Sequence, residues 1–208
     1  MRPFQDVHDL GLRGALDADL LKLLASAGAL AGLTGNRRQA MWVAAGSAPG
    51  RDLLREAPVY EEELILAAPT EGQDLVQDYL HTGLTLGRHP LALLRERLHA
   101  QRFVQAEVLQ HYPDARLARG CGLVTVRQRP GTANGVVFIT LEDETGNVNV
   151  IVWPNLVEQQ RREVMSAKLL GVYGQWQSKN NVRHLVAKRL VDLTHLLGEL
   201  DTRSRNFH

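Results

Sequence analysis

One cysteine, Cys121, stands in a chain of 208 residues. A lone thiol excludes a disulfide framework and any zinc or iron–sulfur centre built on several cysteines. It fits a reducing compartment, taken here as the cytoplasm. No apolar run approaches the ~20 residues that span a bilayer, and Met1–Leu10 is polar where a secretory leader is apolar. Charge of either sign is not in excess: 24 Lys+Arg against 23 Asp+Glu leave a net of +1. Enzyme signatures are missing too. There is no phosphate-binding Gly-rich loop, no Gly-x-Ser-x-Gly elbow, and no His-x3-His pair beside an acid among eight histidines. Aromatic residues are scarce at 5%, whereas 44% of the chain is hydrophobic. That is enough apolar material for a folded core in one or two domains.

The near-zero charge is an average over unlike halves. Residues 1–115 carry 11 basic and 15 acidic side chains, and residues 116–208 carry 13 and 8. Between Ala115 and Leu141 there is no Asp or Glu, only Arg116, Arg119, Arg127 and Arg129. Such asymmetry is the pattern of a polyanion-binding module joined to something else.

The first half has helical periodicity. Asp17 is placed to cap a helix through Leu20, Leu21, Leu23, Leu24 and Ala27, and Asn36 to cap a second over Arg37–Ala45. Gly46–Tyr60 is rich in Gly, Ser and Pro and reads as a linker. Leu75, Val76, Tyr79 and Leu80 share a face of a third helix. Pro90 opens a fourth with the stripe Leu91, Leu94, Leu98, and His89 before it reads as a turn or cap residue. All these leucines are read as core.

The second half changes period. Strands are expected at Leu117–Val126, Val136–Leu141, Val148–Trp153, Lys168–Gln177 and Val182–Leu190, with a helix from Pro154 through Ala167. Three strands, a helix and two strands is the order of an OB-fold barrel, whose second and third strands and 1–2 and 4–5 loops form the usual binding surface. The fold class expected is therefore α+β: a helical N-terminal half followed by a five-stranded OB-fold barrel. The expected segments are 1–46 (helix-hairpin-helix-like tail), 47–114 (linker and helical connector), 115–193 (barrel) and 194–208 (C-terminal tail).

Side chains alternate along a strand. Val137, Ile139, Leu141, Val148, Val150 and Val152 form the inward set. Val136, Phe138, Thr140, Asn149, Ile151 and Trp153 are left outward. Phe138 and Trp153 then offer stacking surfaces, Asn149 a polar contact, and the loops supply cations: Arg127 and Arg129 from Arg127–Asn134, Lys179 and Arg183 around Ser178–Asn181. Aromatics in a cationic groove are how single-stranded nucleic acid is held without base preference. Two other readings stay open: the helical half covers both aromatics, or the arginines are a solvated rim. The acidic run Glu142–Glu144 is read as a solvated hairpin tip, and Cys121 as buried rather than nucleophilic. No catalytic residue and no metal ligand is assigned.

Several stretches resemble the C-terminal part of bacterial error-prone DNA polymerases, C-family relatives of the DNA polymerase III alpha subunit. They are Gly122–Ala133, Val137–Gly146 and Val148–Pro154. The tract from Asp78-Tyr79 through Gly83-Leu84 to His89-Pro90-Leu91 is similar to that family's connector, Leu23–Arg38 to its helix-hairpin-helix tail, and Ser204–His208 to its closing Ser-Arg-Asp-Phe-His, with Asn206 in place of Asp. The resemblance implies a part in DNA replication, damage-induced mutagenesis, DNA repair and translesion synthesis. It implies DNA as partner, in the form of a single-stranded template, with other subunits of a mutagenesis complex as further partners. The family's catalytic aspartates and their Mg2+ fall outside this stretch, so no cofactor is expected here and the chain is not expected to polymerise DNA alone. The resemblance also implies a split or truncated gene product. A protein-docking OB module and a tRNA-binding OB domain are the alternatives.

Overall fold

A computed structural model describes residues 2–47, 64–179 and 182–198. The chain separates into two compact units, Met1–Thr85 and Leu86–His208. The division precedes the composition change at Ala115, so of the two helices expected in the connector the one opened by Pro90 belongs to the unit that holds the barrel, with a short helix at Ala106–Gln110 not expected from the sequence. The charge contrast sharpens accordingly: residues 1–85 carry 7 basic and 12 acidic side chains, and residues 86–208 carry 17 and 11. Most of the expected linker, the 4–5 turn at Asn180-Asn181 and the closing Ser204–His208 lie outside the described residues.

The first unit contains α1 (Val7–Gly14), α2 (Ala18–Ser26), α3 (Ala31–Thr34), α4 (Arg37–Gly46) and α5 (Glu71–His81). Asp17 and Asn36 cap α2 and α4 as expected, accepting the N–H groups of Leu20 and Gln39. Thr70 and Gln73 form a reciprocal capping box on α5. Val7, Leu21, Ala25, Leu30, Ala40 and Ala44 make the core. Arg37 ties α4 to α5 through the Asp74 carbonyl, at 2.7 Å, and the Asp78 carboxylate. At the α2–α3 hairpin the N–H groups of Gly28, Ala29 and Ala31 donate to the carbonyls of Ala25, Leu24 and Gly28. The Arg37 guanidinium lies over Gly28. These three amides therefore do not face outward as a phosphate-binding hairpin needs.

The second unit opens with α6 (Pro90–Ala100) and α7 (Ala106–Gln110). Pro90 takes the first helical position, and His89 Nδ1 accepts the Leu91 N–H at 3.1 Å. The strands are β1 (Leu117–Gln128), β2 (Val137–Asp143), β3 (Gly146–Val152), β4 (Leu169–Lys179) and β5 (Val182–Asp192), closed in the order β1-β2-β3-β5-β4. The single helix expected after Pro154 is two, α8 (Pro154–Gln159) and α9 (Arg161–Ser166). The break is at Gln160, whose side-chain amide pairs with both the N–H and the carbonyl of Leu190 at 2.8 and 2.9 Å. That amide stands in for a strand partner beside β5, which meets β3 only at Val150 and Ile151.

The six inward valines, isoleucine and leucine of β2 and β3 fill the barrel with Leu170, Val172, Trp176 and Leu185. Val136, expected outward, is buried. It precedes β2, and its N–H donates to the Ala133 carbonyl to close the 1–2 loop. Gly174 sits at a β-bulge, where a Cβ would come within 2.2 Å of the Val186 carbonyl oxygen. Outside the barrel, Leu91, Leu98 and Phe103 pack on Cys121, Leu123, Leu169 and Leu193. Burial pushes the Cys121 thiol up to about 12, which leaves it inert as a nucleophile.

The acidic run is not a solvated tip. Asp143 is 5% exposed. Its carboxylate accepts the Ala106 N–H and the Thr145 N–H, each at 2.8 Å, the Gly146 N–H at 3.2 Å and the Thr145 hydroxyl at 2.7 Å. Glu144 takes both Nε and Nη2 of Arg95 at 2.6 Å, and Gln105 Nε2 at 2.8 Å. The β2–β3 hairpin is thereby the dock for α6 and α7, whose donors sit some 40–50 residues away in sequence.

Burial lowers the pKa of His89 from its ordinary 6.5, against an upward pull from Glu142, Glu144 and Asp143. Burial raises that of Glu144, but the bonds from Arg95 and Gln105 outweigh it and leave its carboxyl below the ordinary 4.5. In both cases the folded state resists protonation. The His89 contribution is complete above pH 6.5 and lost as pH falls from there through the folded value. The Glu144 contribution is complete above pH 4.5 and lost below it. Melting temperature measured from pH 7 to 4 should fall in two stages. His89→Asn, which keeps a capping acceptor, should abolish the earlier one, and superimposable curves would refute the assignment.

Candidate nucleic-acid interface

The register fixes which side chains share the outer face of β2 and β3. Phe138 lies opposite Ile151 on β3 and Gln128 on β1, and Thr140 opposite Asn149. Phe138 is 37% exposed and Trp153, directly after β3, is 55% exposed. Beyond Phe138, on the side away from Trp153, the Thr140 hydroxyl donates to Asn149 Oδ1 at 3.2 Å, leaving the Asn149 amide NH2 on an exposed residue. The face thus carries two rings with a hydrogen-bonding pair alongside.

Of the expected cations, Arg129 is placed best. It is exposed at the start of the 1–2 loop. One of its Nη atoms and Pro154 both lie within 4 Å of the point where a Gly135 Cβ would sit, which sets the guanidinium at the Trp153–Pro154 end of the face. Asn134 and Gly135 both take positive φ, 47° and 85°, so the loop turns where the Asn-Gly signal expects.

Arg127 is elsewhere. β1 continues through Gln128, so Arg127 is a strand residue opposite inward-facing Ile139, not a loop residue. Its Nε donates to the Val164 carbonyl at 2.9 Å and its Nη2 to the Ala167 carbonyl, closing the barrel end beneath α9. Burial lowers its pKa, with an opposing pull from Asp192. Lys179 and Arg183 flank the 4–5 turn, at the other end of the barrel from Arg129, and both are exposed. Arg183 donates to Gln110 Oε1 of α7 at 3.1 Å. Two neighbours of Phe138 on this face were not singled out from the sequence, Gln128 and Ile151. The register supplies them, because each stands directly opposite Phe138.

Among the described residues no group of three or more His, Cys, Asp or Glu is placed to hold a metal ion. The carboxylates of Asp143 and Glu144 are already engaged by protein donors. Among the same residues no helix is long and apolar enough to cross a membrane.

A closed five-stranded barrel in this strand order, with a helical plug between its third and fourth strands and aromatics on its β2–β3 face, is an OB-fold. A family model described as OB-fold nucleic acid binding domain matches residues 121–193. Over its whole length the chain is also similar to curated proteins named error-prone DNA polymerase. The one from Bordetella parapertussis is 58% identical over 213 residues, covering 100% of this chain and 20% of the relative. The one from Aromatoleum aromaticum is 58% identical over 206 residues, covering 99% and 19%. The chain spans about a fifth of the length of these curated relatives. Among solved structures, an asparaginyl-tRNA synthetase from Pyrococcus horikoshii aligns over 44% of this chain and 22% of its own at 19% identity and TM-score 0.38.

Proposed function

We propose that the barrel holds the single-stranded template of an error-prone polymerase on its β2–β3 face during translesion synthesis and damage-induced repair in the cytoplasm. In this reading the nucleotidyl-transfer chemistry and its Mg2+ reside in other parts of the polymerase, and further mutagenesis-complex subunits are its partners. The observation that carries it is the pair of exposed rings, Phe138 and Trp153, on one strand face with Arg129 at its edge. Rings give sequence-tolerant stacking, and cations give salt-dependent phosphate affinity. A polymerase that copies damaged template gains from such indifference to base identity.

Fluorescence anisotropy with labelled oligothymidylate tests it. Phe138→Ala with Trp153→Ala should weaken binding by about 1–3 kcal/mol per stacked base and leave the melting temperature unchanged, since both rings are outside the core. Undetectable binding at low salt, or indifference to the pair, sinks the proposal. The family model that matches carries an anticodon-binding name, which favours tRNA as the second reading. A strong preference for tRNA in the same titration would establish that instead.

A further inference from the structure

The other wall of the barrel, β5-β4-β1, carries a second concentration of cations. Register places Arg119 opposite Tyr173 and Tyr173 opposite Arg189. The two guanidinium carbons stand 4.9 and 5.5 Å from the centre of the one ring. The bulge at Tyr173/Gly174 leaves Lys188 as the extra residue of β5, exposed beside them. Arg116 lies 3.9 Å over the Tyr112 ring. Arg102, Tyr112, Arg119, Tyr173 and Lys188 line a cleft of about 370 Å³ whose lining contains no acidic residue. Among the described residues none of Arg102, Arg116, Arg119, Lys188 and Arg189 is in an ion pair.

Arg102 adds a backbone observation. α6 ends in a Schellman motif: the Phe103 N–H donates to the Leu98 carbonyl and the Arg102 N–H to the His99 carbonyl. The residue in Arg102's place takes positive φ and is usually glycine. Here it is an arginine at φ 63°. Arginine is a poor choice there for helix termination, and the strain persists where a side chain is wanted at that spot. Arg102, Arg119 and Lys188, gathered in a lining without a carboxylate, also oppose folding unless an anion joins them.

We infer that this cleft is a second nucleic-acid site, binding a single strand with phosphates on Arg102, Arg119, Lys188 and Arg189 and a base against the Tyr112 or Tyr173 ring. The charge calls for a polyanion. The arginine-flanked rings favour one with planar groups, which a nucleic acid has and an acidic peptide lacks. It uses none of the residues of the β2–β3 face and stands or falls separately from it.

The test uses the full chain and an oligothymidylate of about 30 nucleotides, longer than the ~4–16 that one OB-fold face covers. Arg102→Gly, Lys188→Gln and Arg189→Gln are combined. Glycine suits the Schellman position, so the melting temperature should hold or rise. The slope of log affinity against log salt should fall by about 2, at ~0.7 per lost phosphate contact, with binding at least ~10-fold weaker at low salt. The triple change should act equally in a Phe138→Ala/Trp153→Ala background. Photocrosslinks from iodouridine-substituted strands should map to peptides holding Tyr112 or Tyr173. A wild-type salt slope in the triple variant, or crosslinks confined to Phe138 and Trp153, would overturn the inference. Loss of polyglutamate binding with oligothymidylate binding retained would do so too, assigning the cleft to an acidic protein segment.

Discussion

Replacing Asp143 with Ala should cost the barrel unit about 3–5 kcal/mol, since an orphaned buried N–H costs ~1–3 and a lost charge-assisted bond ~1.5–3. The carboxylate is 5% exposed and accepts four donors from two places, the hairpin turn and the start of α7. Removing it leaves the Ala106 N–H buried without a partner and lets the two-residue turn at Glu144-Thr145 splay. It also removes the second acid facing Arg95, whose Nη2 lies 3.4 Å from it. Domains are stable by only ~5–15 kcal/mol, so the variant should unfold at a much lower denaturant concentration. Asp143→Asn keeps one acceptor oxygen and should fall between the two. Thr140→Ala, on the same strand but half-buried and facing outward with a single hydroxyl bond to Asn149, supplies the control. Equal denaturation midpoints for Asp143→Ala and wild type would show that α7 docks without this carboxylate.

The same residues mark where the sequence stops being informative. Alternation identifies the inward side chains of β2 and β3, Asp17 and Asn36 announce their helices, and Pro90 announces α6, because these signals are local: a period, a cap, a missing N–H. The identity of Asp143 as a buried acceptor is not local. Its donors, Ala106 and Arg95, are 37 and 48 residues away, and a run of three acids in a hairpin looks the same whether or not a helix lands on it. The division after Thr85 was hidden for a related reason. α6 has helical periodicity like the first unit, and only its contacts assign it to the barrel. On the β2–β3 face, parity places Phe138, Asn149 and Trp153 outward, and all three are exposed. The cationic cleft across the barrel needs three strands in register and a bulge, so Arg119, Tyr173 and Arg189 carry no sign in sequence that they meet.

Arg127 and Arg129 illustrate the difference in one dipeptide step, and their variants should separate cleanly. Both looked like loop cations. β1 runs on through Gln128, so the two share a strand parity that the strand's end then breaks. Arg127 turns under α9 onto the carbonyls of Val164 and Ala167, two residues with no exposed surface. Arg129 emerges beside Gly135 into solvent. Arg127→Ala should therefore destabilise the barrel by about 2–3 kcal/mol, the range for hydrogen bonds from a charged donor to buried carbonyls. Arg127→Lys should recover only part of this, since an ammonium is a point charge without the planar fork that spans two acceptors. Arg129→Ala should leave the melting temperature within its error and flatten the salt dependence of single-strand binding by about 0.7, one phosphate contact. Thermal melts and salt titrations on the two single variants check both halves. Should Arg127→Ala melt like wild type while losing affinity as Arg129→Ala does, Arg127 is a groove residue after all, and the α9 carbonyls find other donors.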